Sequence, residues 1–335
     1  MSTRVLIVGG GAIGAFYGAR LAAAPRTLVS AVCRSNYAAV RDGGFTLTSP
    51  IYGQHVFKPE HVFSSPQAAK QAGVPFDYLL VATKALPDVS DDSSLPEGLV
   101  DADTSIVLVQ NGLGIEEPYR QRFPRTCILS AVALASVAQP SPGCITHSSA
   151  TKISLGPYHA EPDLADEGLA LRKCARLVAL LKAGGIRDAE MHDHAGLQCV
   201  RWHKVAVNAS MNPSSVLSGQ TLNQEMSNDP ELARHLLGVM REVLATAPQV
   251  LGRPLPSTFL APEQILRSQQ RSNAGFKSSM LQDWEKGRRM ELEVILGNPV
   301  RIARRHGLEM PRTESMYALL KKAQEHRQRA LVSKL

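Results

Sequence analysis

The first residues of the chain carry a glycine pattern that constrains the fold more than any other feature. The apolar, β-branched run 4–8 leads directly into a glycine cluster, and an alanine-rich stretch follows. A strand, a tight glycine turn and a helix in this order match the G-x-G-x-x-G pattern that binds a dinucleotide pyrophosphate at a helix N-terminus. Gly9 would permit the turn, Gly11 would let the backbone approach the phosphates, and Gly14 would let the helix pack on the strand. The candidate cofactor-binding residues of this turn are Gly9, Gly10, Gly11, Ala12, Ile13 and Gly14.

The end of the second predicted strand selects between two forms of the cofactor. Residues 27–33 predict a strand, and Arg34 follows it, about twenty residues after Gly14. NAD-binding folds carry an acidic residue at this place for the ribose hydroxyl, whereas an arginine can pair with the 2′-phosphate of NADP. Arg34 therefore predicts NADP(H), with a solvated surface arginine as the alternative interpretation.

Two further apolar runs, 77–83 and 104–109, predict buried parallel strands that each end in polar residues. Ligands bind at the carboxyl ends of such strands in an open α/β sheet. Lys84 follows the first run and Asn111 follows the second. We expect Lys84 to contact the cofactor, although a plain surface lysine is the alternative.

The rest of the chain divides into a β-rich part and a helical part. Residues 127–157 predict two strands around a turn at 139–143, and 169–182 predict an amphipathic helix. The later predicted helices cover 197–211, 230–251, 262–270, 278–286, 290–306 and 312–332. The predicted fold class is α/β, with a Rossmann-type NADP-binding domain over 1–190 and an all-helical substrate domain over 191–332.

One predicted helix carries polar residues at a regular spacing. Lys204, Asn208 and Asn212 are four residues apart and share one face of the helix. Pro213 predicts that Asn212 leaves the helix. Burial of a lysine lowers its pKa toward the working pH, which makes Lys204 a candidate proton donor. The alternative is a lysine whose stem packs while its ammonium group reaches water.

A second polar set lies between residues 278 and 291. On one continuous helix Ser279 and Glu291 would be about 18 Å apart along the axis, too far to touch one small ligand. Gly287 can end one helix in a left-handed conformation and let the chain fold back. Glu291 would then lie in the first turn of its own helix, near enough to pair with Lys204.

Together these motifs resemble the ketopantoate reductase (2-dehydropantoate 2-reductase) family. The matching pieces follow one another in family order over nearly the whole chain: the glycine turn, Arg34, 82–85, 110–114, Lys204-x-x-x-Asn208-x-x-x-Asn212-Pro213, 278–283 and 287–291. The resemblance implies NADPH held by the glycine turn, Arg34, Lys84 and Asn111, and a small anionic 2-oxo acid substrate between the domains. It further implies that Lys204 protonates the substrate oxygen, with Glu291 positioning that lysine and binding the substrate. Asn208, Asn212, Ser279 and Asn111 would bind the substrate's polar groups.

One residue departs from the family pattern. Many relatives have an asparagine where this chain has Phe276. An apolar ring would remove a polar contact and favour a bulkier or less hydroxylated substrate. The first hypothesis is therefore reduction of ketopantoate to (R)-pantoate, and the alternative is an NADPH reductase of another 2-oxo acid or β-dicarbonyl. A non-enzymatic NADP-binding sensor on the same fold is a third hypothesis.

The charge distribution, the absent motifs and the last three residues bear on the location of the protein in the cell and on its partners. Residues 301–335 hold nine Lys and Arg against three Asp and Glu, so most of the net charge of +7 lies in this stretch. No motif supports nucleic-acid binding, no run is long enough to span a membrane, and the cysteine and histidine spacing predicts no metal site. Ser333-Lys334-Leu335 matches a peroxisomal address and predicts binding to the import receptor; a cytoplasmic location is the alternative. A homodimer is left open.

Overall fold

The computed structural model describes residues 2–159, 167–271, 275 and 277–332. Phe276 and the tripeptide Ser333-Lys334-Leu335 lie outside the described residues. The chain divides into two compact units. The first consists of Met1–Lys84, Asp91–Gln110 and Ile115–Leu197; the second consists of Ala85–Ser90, Asn111–Gly114 and Gln198–Leu335.

The first unit contains a sheet of ten strands within the described residues. In chain order they are β1 Thr3–Val8, β2 Thr27–Val32, β3 Phe45–Ser49, β4 Gly53–Phe57, β5 Val62–Phe63, β6 Tyr78–Val81, β7 Ser105–Leu108, β8 Cys127–Ser141, β9 Cys144–Pro157 and β10 Ala189–Met191. Their order across the sheet is β4-β3-β9-β8-β7-β6-β1-β2-β5, and β10 pairs with β9. The neighbours of β1, which are β2 and β6, run parallel to it, and so do the pairs β6–β7 and β7–β8.

Continuous apolar runs explain the parallel part of the sheet. In β1, Val5, Leu6 and Ile7 are completely buried, as expected for a strand with both faces covered. Each aliphatic side chain buried in this way contributes about 1.5–3 kcal/mol of hydrophobic stabilisation. Two predicted strands around a turn near residue 141 are confirmed as the antiparallel pair β8–β9. The sequence interpretation missed β3 and β4, an antiparallel hairpin over residues 45–57.

Helices account for most of the remaining described chain. Those that begin in the first unit are α1 Ala12–Ala22, α2 Tyr37–Gly43, α3 Pro66–Gln71, α4 Glu117–Arg122, α5 Glu167–Ala183 and α6 His194–Leu217. The second unit contains α6 from Gln198 onward, and then α7 Asn223–Asn228, α8 Pro230–Leu251, α9 Pro262–Gln270, α10 Ser279–Glu285, α11 Asn298–Arg305 and α12 Pro311–Val332. A π-helical turn, Glu293–Gly297, precedes α11. The Rossmann-type and helical fold class is thus confirmed. No helix of the described chain has both the length and the apolar composition that a bilayer crossing requires.

The expectation that Pro213 turns Asn212 out of the helix is wrong. Helix α6 continues through Pro213 to Leu217. A proline removes one backbone donor but does not end a helix whose flanking side chains are held by packing. Asn212 and Ser215 are buried, and the Ser215 hydroxyl donates to the Asn212 carbonyl at 2.7 Å. Asn212 therefore stays on the same helical face as Lys204.

Candidate active site

The glycine turn of the first unit is shaped by contacts that exclude side chains. Gly9 has φ +109°, and a Cβ there would come within 2.7 Å of the Thr83 backbone nitrogen. A Cβ on Gly14 would collide with the Gly9 carbonyl oxygen. At Gly11, the N-cap of α1, a Cβ would meet no described atom within 4 Å. Open space beside the N-terminus of an eleven-residue helix is what a phosphate group requires.

Two side chains that the sequence interpretation missed hold this turn. Asn36 is buried and donates its Nδ2 to the Gly10 carbonyl at 2.7 Å. Gln139 donates to the same carbonyl at 3.2 Å, although it lies 129 residues away in sequence. No local pattern marks either residue, because the contacts depend on how β2 and β8 are placed in the sheet. The backbone of the turn therefore fits a dinucleotide pyrophosphate, and the side-chain amides of Asn36 and Gln139 hold the turn through the Gly10 carbonyl.

The two cationic candidates of the first unit lie at strand ends. Arg34 is exposed, two residues after β2 ends at Val32. Lys84 is exposed, three residues after β6 ends at Val81. Since β1 lies between β2 and β6 in the sheet and leads into the glycine turn, both cations are at the strand edge where ligands of such folds bind.

In the second unit three predicted residues are joined by their side chains. Lys204 Nζ donates to Asn111 Oδ1 at 2.7 Å, and Asn111 Nδ2 donates to Glu291 Oε2 at 3.2 Å. The Ala85 backbone N–H donates to Glu291 Oε1 at 3.1 Å. Both oxygens of Glu291 therefore accept hydrogen bonds, which is the pattern of an ionised carboxylate. The expected pairing of Lys204 with Glu291 runs through the amide of Asn111.

The surroundings of Lys204 favour proton release near neutral pH. The pKa of Lys204 is lowered from its usual 10.5 to about 8, mainly by burial and also by the nearby charge of Arg201, while the charge of Glu291 raises it. A lysine with a pKa near 8 is still largely protonated at neutral pH and gives up its proton more readily than an exposed one. The group can therefore act as a general acid.

Glu291 is placed by the break that the sequence predicted. Gly287 has φ +66°, in the left-handed region, so α10 ends and the chain turns before Glu291. Glu291 is 5% exposed and directly precedes the first helical residue, and its carbonyl accepts from the Ile295 N–H. Gln324 of α12, which the sequence interpretation missed, accepts from the Met290 N–H at 2.8 Å. Ala85 and Asn111 thus hold the carboxylate itself, and Gln324 holds the backbone just before it.

The predicted substrate-binding residues differ in exposure. Asn208 is partly buried, Asn212 is buried and Ser279 is exposed. Ser278 is the N-cap of α10, and its hydroxyl lies 3.0 Å from that of Ser215 on α6. Ser215 is one turn beyond Asn212, so α10 begins beside the Asn212 end of the polar face. Lys204 lies eight residues before Asn212, which places it about 12 Å away along the helix axis.

Among residues 2–159, 167–271, 275 and 277–332, no group of three or more His, Cys, Asp or Glu side chains is arranged to hold a metal ion.

Comparison with known proteins gives one consistent family. Residues 5–160 match the family "Ketopantoate reductase PanE/ApbA", and residues 197–324 match its C-terminal domain. A crystal structure of 2-dehydropantoate 2-reductase from Methylococcus capsulatus aligns with TM-score 0.81 and 32% identity over 97% of each chain.

Curated relatives extend over similar lengths. An uncharacterized protein of Saccharomyces cerevisiae is 29% identical over 95% of this chain and 92% of its own. A 2-dehydropantoate 2-reductase of Nostoc is 27% identical over 94% of this chain and 93% of its own.

The dinucleotide-type turn, the helical second unit and these matches define an oxidoreductase that acts on a keto group. The chain belongs to the ketopantoate reductase PanE/ApbA family.

Proposed function

We propose that the protein reduces 2-dehydropantoate (ketopantoate) to (R)-pantoate with NADPH, the reductive step of pantothenate biosynthesis. The observation that carries the proposal is the series of hydrogen bonds from Lys204 through Asn111 to Glu291. In it a partly buried lysine of lowered pKa is aligned by an amide and a buried carboxylate.

The cofactor is NADP(H). The open space beside Gly11 at the N-terminus of α1 accepts the pyrophosphate, and Arg34 pairs with the 2′-phosphate. Lys84 adds a second cation at the same edge of the sheet. When bound, NADPH supplies the hydride that is added to the keto carbon.

The residues of the chain supply the proton and the substrate contacts. As the carbonyl oxygen gains negative charge, the Lys204 ammonium stabilises it and transfers one proton to it, leaving a hydroxyl group and a neutral amine. Solvent then returns a proton to Lys204. Asn111 and Glu291 hold the lysine, and Glu291 also binds substrate. Asn208, Asn212 and Ser279 bind the hydroxyl and carboxylate groups through uncharged hydrogen bonds.

A substrate panel tests the proposal. NADPH oxidation is measured with ketopantoate, 2-oxoisovalerate, pyruvate and phenylpyruvate, and kcat/KM is expected to be highest for ketopantoate. A higher kcat/KM for another 2-oxo acid would show that the proposed substrate is wrong, while the proposed class of reaction would stand. NADPH binding with no turnover of any keto acid would instead favour the sensor hypothesis.

The second candidate substrate class follows from Phe276. An apolar side chain where many relatives have asparagine favours another 2-oxo acid or a β-dicarbonyl. Exchange of Phe276 for asparagine is expected to raise kcat/KM for ketopantoate relative to phenylpyruvate if this residue meets the substrate.

The location and assembly also stay predictions. The tripeptide Ser333-Lys334-Leu335 predicts import into peroxisomes through the import receptor. A fluorescent protein fused before residue 1 should then enter peroxisomes, and the same fusion after Leu335 should stay in the cytoplasm. Size-exclusion chromatography with light scattering tests a homodimer.

A further inference from the structure

Arg201 is a buried cation on α6 that the proposed reaction does not use. It is 2% exposed and lies three residues before Lys204, so the two share one side of the helix. Its Nη1 donates to the Gly112 carbonyl at 3.0 Å. This hydrogen bond goes to the residue next to Asn111, so the guanidinium is in a position to act on the segment that carries Asn111.

Gly112 and Leu113, which follow Asn111 in the segment 111–114, are held by hydrogen bonds and close packing. The Leu113 N–H donates to the Val294 carbonyl at 2.9 Å, and Asn298 Nδ2 donates to the Leu113 carbonyl at 2.6 Å. Gly112 has φ +91°, and any Cβ there would collide with Val294. The π-helical turn and α11 therefore hold one side of this segment, and Arg201 holds the Gly112 carbonyl from α6.

The orientation of this peptide matters because the Asn111 amide is used at both ends. Its Oδ1 accepts from Lys204, and its Nδ2 donates to Glu291. A rotation at Gly112 would displace the Asn111 side chain and break both hydrogen bonds together. A donor that fixes the Gly112 carbonyl therefore also keeps the Asn111 amide in place between Lys204 and Glu291.

We propose that Arg201 is a positioning residue, which holds the Gly112 carbonyl so that Asn111 stays aligned between Lys204 and Glu291. The inference rests on the proposed function in assigning the proton transfer to Lys204, but the effect of Arg201 on the Lys204 amine can be measured without turnover.

Arg201 also acts on Lys204 through its charge. Two charged groups act on Lys204 in opposite directions: Arg201 lowers its pKa, and Glu291 raises it. Asn111, which accepts a hydrogen bond from Lys204, is uncharged. Removal of the Arg201 charge is therefore expected to raise the pKa of Lys204, and removal of the Glu291 charge is expected to lower it.

The test compares Arg201→Met, Arg201→Lys and the control Arg241→Met, an exposed arginine paired with Glu263 on the surface. Arg201→Met should lower kcat about tenfold or more, leave the NADPH Kd within about twofold, and move the fall of kcat at alkaline pH to higher pH. Arg201→Lys keeps the charge and should restore the pH profile and part of kcat. Arg241→Met should behave as the unmodified protein.

The outcomes separate positioning from stability alone. Equal kcat and pH profile in Arg201→Met and the unmodified protein would overturn the proposal. Equal losses in Arg201→Met and Arg201→Lys, with the pH profile unmoved, would overturn it too, since that result indicates a structural role only. If Arg201→Met does not fold, Arg201→Gln takes its place: a lower kcat together with an alkaline fall displaced to higher pH supports the proposal, and an unchanged kcat or an unmoved pH profile contradicts it.

A second measurement does not need a substrate. Competitive acetylation of Lys204 by acetic anhydride, followed by mass spectrometry over a pH series, gives the pKa of its amine directly. The midpoint should lie higher in Arg201→Met than in the unmodified protein; an equal midpoint would count against the proposal. Because this readout works even when no 2-oxo acid is reduced, failure of the proposed function and failure of the Arg201 inference remain distinguishable.

Discussion

The glycine turn of the first unit and the Lys204 cluster of the second unit are built in opposite ways. The turn uses residues within six positions of one another, and its shape depends on the absence of side chains at Gly9 and Gly14. In the cluster, Lys204 and Asn111 are 93 residues apart, and Asn111 and Glu291 are 180 apart. A binding turn can thus be encoded locally, whereas an acid with an adjusted pKa requires groups that only the folded unit brings together.

This difference has an energetic side. Backbone N–H groups at a helix N-terminus bind an anion at any pH, because they do not titrate. In the proposed reaction the Lys204 ammonium acts only while it is protonated, and burial, Arg201 and Glu291 together set its pKa at about 8. Substitutions in the turn should therefore change cofactor binding or stability, and substitutions in the cluster should change the rate and its pH dependence.

The largest expected effect separates the two sites. Lys204→Met removes the proposed proton donor and should lower kcat by about two to four orders of magnitude, the usual contribution of a general acid. The NADPH Kd should change by less than about twofold, because Lys204 is not in the glycine turn. Steady-state kinetics and fluorescence titration measure both quantities. Lys322→Met, which alters an exposed lysine of α12, is the control, and a similar kcat in the two variants would remove Lys204 from the reaction.

A pair of glycine substitutions tests the turn itself. Gly14→Ala places a Cβ against the Gly9 carbonyl and should destabilise the protein by about 1–3 kcal/mol through overpacking. Gly11→Ala meets open space at φ −76°, so its melting temperature should stay within a few degrees of the unmodified value. Its NADPH Kd should nevertheless rise about 10- to 100-fold, since the methyl group occupies the phosphate position. Unchanged NADPH binding in a folded Gly11→Ala variant would contradict the assignment of the turn.

The same contrast explains what the sequence could predict. The strand–turn–helix order at Gly9–Gly14, the parallel strands β6 and β7, and the exact limits of α8 and α9 followed from local apolar patterns and turn residues. The break at Gly287 followed from the length of one helix. These features are decided by neighbours in sequence, so the pattern was sufficient.

Other features depended on distant contacts and were not predictable. The β3–β4 hairpin joins the sheet through β9, and Asn36 and Gln139 reach the glycine turn only after the sheet has formed. The helix passes through Pro213 because tertiary packing outweighs the local preference of proline. The roles of Lys204, Glu291 and the substrate-binding residues stay predictions, and the structure supplies the geometry in which they can be tested.

A substitution of Arg34 in the first unit should have a smaller effect, on the choice between the two cofactors. Arg34→Ala removes the cation proposed to pair with the 2′-phosphate of NADPH, a group that NADH lacks. The ratio of kcat/KM for NADPH to that for NADH should fall about tenfold, the value of one charge-assisted hydrogen bond. Initial rates with the two cofactors measure it. Arg125→Ala changes another exposed arginine of the first unit and should leave the ratio unchanged; an unchanged ratio in Arg34→Ala would mean that Arg34 is a solvated surface residue.

The smallest effect is a displacement of the pH profile. A lysine can donate a proton only when it is charged, so with Lys204 as the proposed donor kcat should be constant at low pH and fall about tenfold per pH unit above the pKa of about 8. Glu291→Gln keeps the size of the side chain and removes the charge that raises this pKa, so the alkaline fall should begin at lower pH. Single-turnover hydride transfer is the appropriate measurement, because slow product release can hide the titration. Glu263→Gln, which alters the surface pair with Arg241, is the matched control. A pH profile that stays in place or moves to higher pH in Glu291→Gln would show that the carboxylate does not act on the proton donor. The predicted displacement to lower pH is opposite in direction to the one expected for Arg201→Met. Observing both would show that two buried charges shift the pKa of one lysine in opposite directions.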